Sequence, residues 1–196
     1  MKRNKLRIRP SFLFVISFAA YFGNPVMLGW LLLAAALHEW GHLLAASCIG
    51  MPVRRLTLDF TGGNMECYRK TTSYAQDLLL CLSGPAVNFL FVTLSMLLHW
   101  NPVFLSAHLL LGVFNLMPVL PLDGGRAVFA FLSGIWGPFT AGRVMSILSV
   151  VTASVVVAFG VWVTTQQGGT PNLLILGLWL FVGSLHSCNL RHFPIK

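Results

Sequence analysis

VMLGWLLLAAALHEWGHLLAASCI, from Val26 to Ile49, decides how the chain is read. Its 24 residues suffice to cross a bilayer core about 30 Å thick at a rise of about 1.5 Å per residue. Apart from one short cluster it is apolar throughout. That cluster, His38, Glu39 and His42, places three ionisable side chains in the middle of the run. Such groups are costly at membrane depth and point to a functional site or to partners. The alternative is a buried helix with incidental histidines, which leaves the glutamate unexplained.

The rest of the chain agrees with a membrane setting. Of its 196 residues, 56% are hydrophobic and 9% charged. A soluble domain carries roughly 25% charged residues. Six apolar stretches follow one another: 11–22, 26–49, 78–100, 103–135, 144–164 and 172–186. We therefore expect an all-α integral membrane fold, a six-transmembrane-helix bundle forming a single domain over 1–196. The first stretch is short and follows five basic residues, so a cleaved signal peptide is its rival reading. The fourth is long and is interrupted by PVLPLDGG, so a broken fourth helix is expected.

The formal net charge is +8. With six spans and a cytoplasmic amino terminus, all 13 Lys and Arg fall in or beside cytoplasmic segments. The outer loops near 23–25, 100–102 and 165–171 carry none. This is the positive-inside pattern, with both termini cytoplasmic. The charge is thus a topology signal; it needs no nucleic acid and favours anionic lipid. Cys48, Cys67, Cys81 and Cys188 form no CxxC pair, which argues against a disulfide framework or a thiolate metal site.

One loop, 51–77, is long. Arg54–Phe60 alternates Leu56, Leu58 and Phe60, the period of a short strand, and ends in the turn-like Thr61-Gly62-Gly63-Asn64. We expect a short β-like hairpin, cytoplasmic or re-entrant. It is either a plain solvated hairpin or a strand edge open to an extended peptide.

HEWGH is an HExxH motif. Residues four apart on a helix share a face, so His38 and His42 can offer two nitrogens to one zinc. Glu39 beside them can take a proton from water and return it to a leaving amine. A catalytic zinc takes three protein ligands, and Asp123 is the candidate third. By helix rise, His38 lies about 18 Å from the outer face and the break near Met117 about 21 Å, so the depths agree. The alternative for Asp123 is a structural kink paired to Arg126. Asn115 is either an oxyanion donor or a helix–helix hydrogen bond. Asn88, in SGPAVN, reads as a packing residue. His99, His108, His186 and His192 read as interfacial or structural.

Together HEWGH and the later NLMPVLPLDGGR resemble the site-2 protease family of intramembrane metalloproteases, peptidase family M50. SGPAVN and DFTGG are similar to further family features. The resemblance runs from about Leu31 to Arg126. It implies zinc, one per chain, on His38, His42 and Asp123, with Glu39 catalytic and Asn115 stabilising the oxyanion. It also implies substrate contacts at Phe60, Gly62, Gly63, Asn88 and Pro121, the strand-like segment holding the substrate extended. Expected partners are a transmembrane or membrane-associated protein substrate, the lipid bilayer, and membrane inhibitor or regulator proteins. The expected location is the bacterial cell membrane.

Within the family the chain most resembles the sporulation stage IV FB-type group, which implies a pro-sigma factor or other regulator as substrate. Many members of that group carry a C-terminal CBS domain, which is not expected in this chain. Two other functions stand beside the protease: a metal-ion transporter using the same His/Asp cluster, and an inactive substrate-binding relative.

Overall fold

The computed structural model describes residues 6–8, 24–51, 53–59, 62–67, 73–166 and 171–189. They form two compact units. One draws on Met1–Thr72 and Ser83–Phe114, the other on Ser73–Leu82 and Asn115–Lys196. The stretch 11–22, expected to be the first span, lies outside the described residues.

In the first unit, helix α1 covers Pro25–Cys48. Asn24 caps its start, its Oδ1 accepting from the amides of Val26 at 2.9 Å and Met27 at 3.4 Å. Pro25 follows where a missing N–H costs nothing. Past its end, Gly50 adopts φ +68°, a left-handed turn that suits glycine. A small sheet follows, in the order β1 (Leu6–Ile8), β2 (Val53–Asp59), β3 (Gly62–Cys67). β2 and β3 are antiparallel, and β1 joins β2 in parallel.

The hairpin read from the sequence is therefore present, with two corrections. Gly62, Gly63 and Asn64, expected in the turn, already pair with Asp59, Leu58 and Thr57. And β2, for which the sequence left open a plain hairpin or an edge ready to pair with a peptide, is the central strand, flanked on both sides. The alternation that marked it as a strand gave no sign that the basic amino-terminal run supplies its second neighbour.

Helix α2 (Tyr74–Leu97) belongs to this unit from Ser83 onward. It carries Pro85 inside it, a ring that removes one helix hydrogen bond. Helix α3 (Pro102–Asn115) starts at Asn101, whose Oδ1 accepts from Val103 N at 2.8 Å. Phe104 on α3 is the hub of an aromatic cluster. Trp30, Phe91 and His108 have ring centroids 5.4, 5.9 and 4.4 Å from it.

The second unit holds the first turns of α2 with α4 (Asp123–Trp136), α5 (Pro138–Thr165) and α6 (Asn172–Asn189). α2 begins earlier than the hydropathy limit at residue 78, because Ser73 and Gln76 form a capping box. Ser73 Oγ accepts from Gln76 N and Gln76 Oε1 from Ser73 N, both at 3.2 Å. The expected break of the fourth apolar stretch is present. α3 ends at Asn115 and α4 starts at Asp123. Between them Leu122 N donates to the Val119 carbonyl at 2.8 Å, and Leu120 N to Ser149 Oγ on α5 at 3.1 Å. Broken backbone at membrane depth must be satisfied by protein or water, and Ser149 does part of that here.

α5 sorts its residues by size. Ala141, Met145, Ser149, Ala153 and Gly160 are buried. Ile147, Val151, Val155, Phe159 and Trp162 are exposed, Ile147 by 68%. Met145 apart, small residues face inward and large apolar ones outward, the arrangement that lipid permits and water disfavours. A Cβ on Gly160 would lie 2.7 Å from Leu174 Cα, and one on Gly177 3.0 Å from Val157 N, so α5 and α6 pack backbone to backbone there. Among the described residues, α1, α2 and α5 are long and apolar enough to cross a membrane. α3 and 172–185 of α6 are shorter apolar helices.

Candidate metal centre

The site begins with the spacing on α1. His38 and His42, one turn apart, are 4% and 8% exposed. Their Nε2 atoms lie 3.2 Å apart, with ring planes at 84°. Two nitrogens bound at about 2.0–2.1 Å to a tetrahedral zinc are separated by roughly 3.3 Å. The pair therefore fits one ion through Nε2, and the donor chemistry, two buried imidazoles, suits zinc.

That orientation depends on α2. Ser83 Oγ lies 3.2 Å from Nδ1 of His42. The Asn88 side-chain amide lies 3.0 Å from Nδ1 of His38. Its other end is 3.1 Å from Nδ1 of His108 on α3. Two glycines bring α2 this close. A Cβ on Gly41 would lie 2.8 Å from the Ser83 carbonyl oxygen. One on Gly84 would lie 2.7 Å from His38 Nε2 and closer still to His42 Nε2. The space below the two Nε2 atoms is thus kept open by the lack of a side chain.

Glu39 is half-buried on α1, between the two histidines in sequence. Asp123 is buried and is the first residue of α4, in the second unit. Its local backbone is tight. A Cβ on Gly124 would meet the carbonyls of Leu116 and Met117, and one on Gly125 those of Val119. The PLDGG spacing thus folds the broken segment back against the start of α4. Asn115, half-buried, ends α3 and also belongs to the second unit.

The structure brings His38, His42, Ser83, Asn88 and His108 together within the first unit. Of the substrate-binding candidates, Gly62 and Gly63 lie in β3, Pro121 is exposed in the second unit, and Phe60 lies outside the described residues. Asn88 is fully buried, with one end of its amide on His38 and the other on His108. His108 and Ser83 were missed as site residues. SGPAVN was the available signal, but hydropathy and spacing do not reveal which side chains an opposing helix faces.

Residues 98–159 match peptidase family M50. The chain is 30% identical to the Mycobacterium tuberculosis protein named "Putative zinc metalloprotease Rip3", over 82% of this chain and 46% of that one. It is 25% identical to "Zinc metalloprotease MJ0392" of Methanocaldococcus jannaschii, over 78% of this chain and 45% of that one. In fold it is similar to the solved site-2 protease from Methanocaldococcus jannaschii, with TM-score 0.70 and 22% identity. That similarity covers 100% of this chain and 97% of the solved one. The chain spans less than half the length of these two curated relatives. The transporter reading finds no support in these matches.

Proposed function

We infer that this chain, a member of peptidase family M50 of the site-2 protease type, is a zinc metalloendopeptidase that cuts transmembrane or membrane-associated proteins. The observation that carries this reading is the buried His38–His42 pair, its Nε2 atoms 3.2 Å apart on an apolar helix. In the proposed centre Asp123 joins them as the third ligand. When bound, zinc supplies a Lewis acid that activates water and polarises a carbonyl. Glu39 takes the proton from the attacking water and delivers it to the departing amine. Asn115 donates a hydrogen bond to the oxygen that gains charge in the transition state.

The substrate lies extended in this reading. β2 has neighbours on both sides, so an incoming strand would add to an outer edge of the sheet, with the β3 edge beside Gly62 and Gly63 preferred. Phe60 and Pro121 are further proposed substrate contacts. A pro-sigma factor or another membrane-tethered regulator is the proposed substrate class. The protein is proposed to be multi-pass, with six spans and both termini cytoplasmic, on the strength of the basic-residue distribution.

The test is cleavage in proteoliposomes by the wild type and by Glu39→Gln, with zinc content measured for both. The expected result is cleavage by the wild type alone, a loss of at least about 100-fold in Glu39→Gln, and equal zinc in both. Undiminished cleavage by Glu39→Gln overturns the assignment.

A further inference from the structure

An imidazole that ligates through Nε2 carries its proton on Nδ1. That proton needs an acceptor, or the ring is free to turn its lone pair elsewhere. Here both Nδ1 partners come from one short piece of α2. His42 meets Ser83 and His38 meets Asn88. The register is antiparallel. Four residues on α1 advance about 6 Å and five on α2 about 7.5 Å, so one α2 segment spans the pair. Gly84, between the two partners in sequence, lets the α2 backbone pass directly under both Nε2 atoms.

We propose that Ser83–Asn88 is the positioning platform of the metal centre, with Ser83 orienting His42 and Asn88 orienting His38. This rests on the reading of the two histidines as ligands. Ser83 Oγ accepts the Nδ1–H of His42. At Asn88, Nδ2 faces His38 and Oδ1 faces His108. The amide has an isosteric flipped form. Ligation through His38 Nε2 requires that flipped form, in which Oδ1 accepts the Nδ1–H of His38 and Nδ2 donates to Nδ1 of His108. His108 is fully buried, and its Nε2 has no hydrogen-bond partner among the described residues. Its Nδ1 contact with Asn88 therefore anchors the far end of the amide.

A packing role and a positioning role make opposite demands at Asn88. Leucine has similar size and suits an apolar packing site but accepts no proton. Aspartate is a poor packing residue in a membrane helix but accepts the Nδ1–H of His38 as well as an amide does.

The test is the zinc dissociation constant of the purified full-length chain in detergent, by competition with a chromophoric chelator. Asn88→Leu and Ser83→Ala are expected to weaken zinc by about 10–100-fold each, while Asn88→Asp stays within a few-fold of the wild type. Thermal unfolding of the metal-free proteins separates lost affinity from lost fold. Wild-type affinity in Asn88→Leu, or equal weakening in Asn88→Leu and Asn88→Asp, overturns the role of Asn88. Wild-type affinity in Ser83→Ala overturns that of Ser83. A wild type that binds no zinc overturns the protease reading as well.

Discussion

His38 and His42 hold their Nε2 atoms 3.2 Å apart while each Nδ1 faces α2. An ion between those nitrogens competes with protons, because a ligating imidazole must be neutral. Acidification therefore releases metal, because protons and the ion compete for the same nitrogens. We expect the zinc content after dialysis to fall as the buffer is made more acidic. A strong chelator should abolish cleavage, and added zinc should restore it. Full cleavage by metal-free protein would sink the metal-centre reading.

Gly84 lies directly below those nitrogens. A methyl group there meets both Nε2 atoms, so α2 or the histidine rings must move. Gly84→Ala is expected to reduce zinc affinity by more than tenfold and to cost about 1–3 kcal/mol, the usual range for overpacking. Gly29→Ala on α1 is the control, since Gly29 is exposed and no heavy atom among the described residues lies within 4 Å of that added carbon. Zinc titration and thermal unfolding of both variants decide the matter.

The sequence made the metal motif legible because HExxH is local: one helix and one spacing place both imidazoles. The break before Asp123 was legible for the same reason, since Pro118, Pro121, Gly124 and Gly125 act on their own backbone. The hairpin was visible in the alternation of Leu56 and Leu58 and in the two glycines. What escaped was non-local. Leu6–Ile8 pairs with Leu56–Leu58 across more than 40 intervening residues, among basic residues that read as a charge run. The partners of the imidazoles depend on how α1 and α2 are rotated against each other, which amphipathic periodicity does not report in helices that are apolar all round. Asn88 was therefore read as packing or substrate contact, and its place between two histidines came only from the folded chain.

Gly160 sits where α5 meets α6 with no side chain between them. A Cβ would lie 2.7 and 2.8 Å from Cα and N of Leu174, and backbone atoms cannot rotate away. Gly160→Ala is expected to push the helices apart and destabilise the second unit by about 1–3 kcal/mol. Gly134→Ala, with its nearest neighbour at 3.8 Å on the Tyr74 side chain, should be tolerated. Equal thermal stability of Gly160→Ala and the wild type would contradict the backbone contact.

Ser149 ties α5 to the broken segment that leads into Asp123. Its Oγ accepts from the Leu120 amide at 3.1 Å, and both residues are buried. Removing the hydroxyl leaves a buried N–H without its acceptor, at a cost of about 1–3 kcal/mol. Because Leu120 is three residues from Asp123, the loss falls on the segment that sets where α4 begins. Ser149→Ala is therefore expected to lower thermal stability and to slow cleavage about tenfold or more, with the KM for substrate little changed. Ser154 provides the contrast. It is exposed on the same helix, and its hydroxyl donates only to the Val150 carbonyl of its own helix at 2.8 Å. Ser154→Ala should leave both stability and cleavage near wild type. If the two serine variants behave alike, the Leu120–Ser149 bond does not support the segment that carries Asp123.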